Sequence, residues 1–217
     1  SPTEDLLLPD VQHVVARLLE LGVFASVGAA PMCASFSVAQ TPPIRSAAYE
    51  KGVPWASPVA QEKMRLGNKH SVWLARLFSA AVKSGVPIWV ENPKSSWLWK
   101  QREWMRASRA LNVSELITDF CRWGTLWQKS TRFLTNIPSL HNSSVTCTCT
   151  TPHIRLRGSC QSQAWTAIAE PYPPGLADAL AAAALLASGG CTAMRRLDLS
   201  LCARLAQERA TRRRKVS

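Results

Sequence analysis

The chain has 217 residues, 47% of them hydrophobic, and 26 Lys and Arg against 14 Asp and Glu give a formal charge of +12 at pH 7. A chain of this length buries one principal core, and no stretch approaches the ~20 uninterrupted apolar residues of a membrane span, which excludes a membrane-spanning class and a membrane partner. The excess positive charge favours an anionic partner, DNA first and RNA second, through phosphate contacts and counterion release.

The N-terminus (Ser1, Pro2, Thr3, Glu4, Asp5) is acidic and lacks the basic flank of a signal peptide. Seven cysteines, odd in number and irregularly spaced, read as free thiols of an intracellular, reducing compartment rather than a disulfide framework.

In chain order, Leu6 to Leu21 carries Val11, Val14, Val15, Leu18 and Leu19 at helical spacing and stops at Gly22. Val23 to Ala30 reads as a short strand covered on both faces. Ser37 to Gly67 is too proline-rich for regular structure and reads as a functional loop or lid. Asn68 is a candidate N-cap for a helix striped by Trp73, Leu74, Leu77, Phe78, Ala81 and Val82 up to Gly85. Val86 to Val90 is a second buried strand, ending at Glu91-Asn92-Pro93. Trp97 to Leu111 reads as a basic, tryptophan-rich helix, Glu115 to Cys121 and Thr131 to Thr135 as further strands, and the segment after Pro173-Pro174-Gly175 as an alanine-rich helix. Alternating strands and helices predict an α/β fold with a parallel sheet flanked by helices, whose chemistry gathers at the carboxyl ends of the strands. Cys33 and Glu91 lie just past two strand ends joined by one helical crossover, and so fall together as a nucleophile and a proton donor.

Three segments in this order resemble the DNA cytosine-5 methyltransferases: Pro31-Met32-Cys33-Ala34-Ser35-Phe36-Ser37, Trp89-Val90-Glu91-Asn92-Pro93, and the Gly, Gln and Arg run from Trp123 to Phe133. The resemblance covers roughly residues 1 to 136 and implies a partial Rossmann-like methyltransferase fold. It implies Cys33 as nucleophile toward carbon 6 of cytosine and Glu91 as the group facing the ring edge. It also implies a catalytic Arg132 and substrate contacts from Ser35, Ser37, Asn92, Gln128 and Lys129, with S-adenosylmethionine as methyl donor and a base flipped from its duplex. The chain departs from the family at Met32, Pro93 and Ser130, and it has no glycine-rich turn before Cys33, so the methyl-donor site reads as incomplete, with Asp5 its one candidate contact.

Under this reading residues 1–140 are the catalytic core, incomplete at its N-terminus. Residues 141–190 form an irregular Cys/His segment plus the alanine-rich helix, and 191–217 a basic helical tail that leaves a nuclear address open. Cys147, Cys149, His153 and Cys160 are a candidate zinc set. Two rival functions share these residues: an inactive nucleic-acid-binding remnant of the same fold, keeping the charge and the tryptophans, and a zinc-stabilised interaction module. Without catalysis, Cys33 is a small buried hydrophobe and the tryptophans are core packing.

Overall fold

The computed structural model of the chain describes residues 5–110 and 112–189. The basic tail, with Cys191 and Cys202, lies outside the described residues. The architecture is mixed α/β. A four-stranded sheet has the order β1-β2-β4-β3, built from β1 (Val27–Ala29), β2 (Ile88–Pro93), β3 (Ser114–Asp119) and β4 (Ser130–Thr135). β1 pairs parallel with β2 through Val27↔Ile88, Gly28↔Trp89 and Ala29↔Val90. β4 runs antiparallel to both β2 and β3, so the sheet is mixed where the sequence pattern predicts a parallel one. The connection decides this. Residues 120–129 hold only a short 3-10 turn (Phe120–Trp123) and Gly124 at φ 90°, too little chain for the helical crossover that a parallel return requires.

Side-chain alternation along the strands sorts two cores. Ile88, Val90 and Leu134 pack with Leu74, Phe78, Trp99 and Trp104 on one face. This face is covered by α1 (Pro9–Glu20), α2 (Pro58–Lys83) and α3 (Arg102–Ala107). Leu116, Phe133 and the partly buried Trp89 pack with Leu140, Leu176 and Leu180 on the other, which α5 (Pro174–Ala187) covers. Phe78 and Trp104 are almost fully buried, and truncating either to alanine would cost about 3–5 kcal/mol. The six tryptophans at 89, 97, 99, 104, 123 and 127 all belong to or flank these two cores, whereas Trp55 is 71% exposed.

Two helices and one strand differ in their bounds from the sequence pattern. α2 begins at Pro58, where the Ser57 side chain accepts from Ala60 N, and runs straight through Asn68. Asn68 is instead a mid-helix side chain that accepts from Arg45 and Gln101. The expected helix over Trp97–Leu111 is broken at Gln101, which is extended between a 3-10 turn (Trp97–Lys100) and α3. Gln101 is fully buried, its amide spent on Ser71 Oγ at 2.6 Å and Asn68 Oδ1 at 3.0 Å. β1 is only Val27–Ala29, shorter than the predicted Val23–Ala30, because only those residues find partners on β2. Beyond Pro138, the segment expected to be irregular contains a small antiparallel pair, β5 (Ser159–Cys160) with β6 (Gln163–Ala164), and the single turn α4 (Trp165–Ile168). No helix among the described residues is long and apolar enough to cross a membrane.

Candidate functional site

The carboxyl ends of β1, β2 and β3 and the start of β4 form one rim. Cys33 opens a 3-10 turn (Cys33–Ser35) after β1, and Glu91 sits near the end of β2. Asn92 holds the two together, its Nδ2 donating to Pro31 O at 2.8 Å. The Trp97 N–H donates to Phe36 O at 2.9 Å and the Lys94 N–H to Ser130 O at 2.9 Å, closing the rim on both sides.

Cys33 is solvent-exposed, whereas Glu91 is 6% exposed and its Oε1 has no hydrogen-bond partner among the described residues. Burial pushes the Glu91 carboxyl above the ordinary carboxylate range, with the Lys129 charge opposing. Partial desolvation raises the Cys33 thiol; the charge of Lys129 lowers it, and those of Glu91 and Glu170 raise it further. A thiol, a buried carboxyl biased to its neutral form and a cation therefore share one electrostatic environment. Lys129 is held there: Nζ donates to Ala169 O at 3.0 Å and Glu170 O at 3.3 Å and lies 4.6 Å from the Phe120 ring centroid. Tyr172, beside Phe133 and Phe120, lies on the same side; burial and then the Glu91 charge raise its phenol.

The other expected site residues are distributed as follows. Arg132 pairs in register with Asn92 rather than Glu91, so alternation places it on the opposite face of the sheet. There it ion-pairs with Glu115 and stacks over Trp99 at 4.8 Å, while its buried Nε has no partner among the described residues. Gln128 Nε2 reaches Asp119 Oδ2 at 3.4 Å. Ser35 is fully buried; Ser37 accepts from Ala39 N at 3.1 Å in its own turn. Asp5 is exposed, accepts from Leu7 N at 2.8 Å, and its charge is felt by the half-buried His70 of α2.

One residue the sequence pattern does not single out governs the Cys33 turn. Arg45 is 2% exposed and makes no ion pair with a carboxylate among the described residues. Its Nε donates to Ser35 O at 2.6 Å, Nη1 to Glu50 O at 2.6 Å and to Asn68 Oδ1 at 2.9 Å, and Nη2 to Ser35 Oγ at 3.4 Å; the guanidinium also stacks 4.4 Å from the Phe36 centroid. Burial lowers this guanidinium to about 10. Such a charge is tolerated inside only when its donors are satisfied, and here the acceptors come from the loop, the Cys33 turn and α2. Gly67 completes the fit, since a Cβ there would lie 2.0 Å from Ser35 Oγ. The Pro-rich stretch after Cys33 is thus a packed strap, with Ile44 and Val53 also buried.

No glycine-rich turn follows a strand ahead of Cys33 among the described residues, and Gly28 is glycine because a Cβ there would lie 2.4 Å from the Trp89 ring.

A second cluster adjoins the rim. The donor atoms of Cys121, Cys147, Cys149 and His153 all lie within 4.8 Å of one another, a group that can hold a metal ion. Cys121, in the turn after β3, stands where the sequence spacing assigns Cys160; Cys160 belongs to β5, outside this group. A groove of about 700 Å³ between α2 and α3, lined in part by Arg76, Lys83 and Arg106, includes no residue of either cluster.

No family model, no curated protein and no solved structure matches this chain.

Proposed function

We propose that the chain is a cytosine-5 DNA methyltransferase-like region of partial Rossmann-like fold, in which Cys33 adds to carbon 6 of a cytosine while Glu91 serves the ring's N3. The observation that carries the reading is the convergence of an exposed thiol, a buried carboxyl whose Oε1 has no partner among the described residues, and a fixed cation at one strand-end rim.

In the addition step the Cys33 thiol gives up its proton to solvent and its sulfur forms a bond to carbon 6. The carbon 5–carbon 6 π pair moves onto the ring, and the protonated Glu91 supplies a proton to N3, leaving a neutral adduct and a carboxylate beside Lys129. Carbon 5 is then an enamine carbon and a nucleophile. The raised Glu91 carboxyl suits it to hold that proton near neutral pH, and the Lys129 charge favours both the thiolate and the carboxylate that the step creates. S-adenosylmethionine is the methyl donor the resemblance implies. The metal of the neighbouring Cys/His cluster, in this reading, is zinc. DNA is the substrate, drawn by the +12 charge, and the base leaves its stack to reach Cys33.

A duplex carrying pyrimidin-2-one in place of the target cytosine tests the addition without a methyl donor, because loss of the exocyclic amine makes carbon 6 more electrophilic. Intact-mass spectrometry is expected to find a protein–DNA adduct mapping to Cys33, absent in Cys33→Ala. An adduct that survives Cys33→Ala, or none with the unaltered chain, contradicts the reading.

A further inference from the structure

We propose that Cys121, Cys147, Cys149 and His153 bind one zinc ion as a closed structural centre, which fastens the β3–β4 connection to the segment after Pro138 and so fixes the rim that carries Gln128 and Lys129. The ligands come from two stretches of chain: Cys121 from the turn that ends β3, and the other three from residues 147–153. Tetrahedral zinc holds sulfur at ~2.3 Å and nitrogen at ~2.0–2.1 Å, which places neighbouring donors about 3.5–3.8 Å apart. Cys147 Sγ and His153 Nε2 are 3.7 Å apart, and the largest spacing in the group, 4.8 Å, closes with side-chain adjustments of under about 1 Å.

The surroundings are arranged for a closed centre. The Asp119 N–H donates to Val145 O at 2.9 Å, and Asp119 Oδ2 accepts from the Cys147 N–H at 2.7 Å. That carboxylate thus orients one ligand's backbone, the supporting role outer groups play at metal sites. The Cys149 N–H points at Cys147 Sγ at 3.4 Å, a donor suited to a metal-bound thiolate. Arg122 donates to Thr148 Oγ1, and the Ile154 N–H donates to Leu126 O at 2.9 Å, so His153 is stitched to the loop it faces. Three thiolates and a neutral imidazole fill a tetrahedron, leaving no open position for a substrate. The zinc would add a cross-link to a contact that these hydrogen bonds already set in register. Gln128 Nε2 meets the same Asp119 Oδ2, and Lys129 follows it directly. The centre stands independently of any reaction at Cys33.

The test uses the full chain purified under reducing, zinc-replete conditions. Elemental analysis is expected to find one zinc per chain, and cobalt substitution to give tetrahedral d–d bands with thiolate charge-transfer absorption. Cys121→Ser and Cys149→Ser lose stoichiometric zinc, while Cys160→Ser retains it. Should the first two variants fail to fold, the unaltered chain still decides: chelation is expected to expose three further thiols to a chromogenic disulfide reagent, and X-ray absorption to report three sulfurs and one nitrogen. A metal-free wild-type chain, or zinc lost in Cys160→Ser but kept in Cys121→Ser, overturns the proposal.

Discussion

The Asn92 side-chain amide donates to the Pro31 carbonyl at 2.8 Å, joining the residue after Glu91 to the stretch that leads into Cys33. Asn92 is 1% exposed, so Asn92→Ala leaves a buried carbonyl without its donor. We expect a stability loss of about 1–3 kcal/mol, read from urea unfolding. Alkylation of Cys33 by iodoacetamide should also quicken, because the freed turn relieves the desolvation that raises its thiol. Wild-type stability together with unchanged reactivity would show that this bond does not set the Cys33 turn.

Arg45 is expected to be intolerant of a conservative change. Lysine keeps the charge but cannot present the planar fork that serves Ser35, Glu50 and Asn68 together. Arg45→Lys should cost about 3 kcal/mol, given ~1.5–3 kcal/mol for a hydrogen bond to a charged group and a similar penalty for stranded acceptors. Gly67→Ala tests the same contact from the α2 side. The gain of about 1 kcal/mol in helix propensity is outweighed by the clash with Ser35 Oγ, since overpacking costs ~1–3 kcal/mol. Thermal or urea unfolding reads both, and a stabilised Gly67→Ala would refute the close approach.

Glu91 predicts a pH dependence with a definite sign. Its folded carboxyl binds its proton more tightly than an unfolded one, whose pKa is ~4.3, because burial disfavours the charge. The stability it contributes is fully present below the unfolded value and is lost as pH rises through the raised folded value. Glu91→Gln removes that loss, so the variant's stability should fall less than the wild type's between about pH 4 and neutrality. Parallel stability curves for the two proteins over this range contradict a raised Glu91.

Lys129→Met removes the cation that lowers the Cys33 thiol. The pH profile of Cys33 alkylation, followed by mass spectrometry of the Cys33 peptide, should move to higher pH, with slower labelling at neutral pH. A profile unmoved by the substitution places Lys129 outside the thiol's field.

Much of the skeleton was readable because it repeats a simple pattern. The stripe from Trp73 to Val82 and the apolar run Ile88–Val90 each declare their element by periodicity alone, and the meeting of Cys33 with Glu91 follows from two strand ends joined by one helix. What escaped depends on contacts between distant parts. Asn68 has the chemistry of an N-cap, yet its side chain is claimed by Arg45 and Gln101, which no local window reveals. Arg45 lies between apolar and small residues in a proline-rich loop, and its burial becomes legible only once Ser35 and α2 meet it. Cys121 is the same lesson at the metal cluster: spacing along the chain selects the nearer Cys160, whereas the turn after β3 delivers Cys121. Arg132 was misleading for a simpler reason, since one step along a strand reverses the face and its register partner is Asn92.

The most direct measurement of the central claim is release of tritium from DNA carrying 5-tritiated cytosine. Addition of the Cys33 sulfur to carbon 6 makes carbon 5 basic; it takes a proton from water, then loses tritium as the sulfur departs and the ring is restored. Tritium should appear in the water with the unaltered chain, fall sharply with Glu91→Gln and vanish with Cys33→Ala. No release from the unaltered chain, or equal release from Cys33→Ala, contradicts the assignment of Cys33 and Glu91 to a cytosine ring.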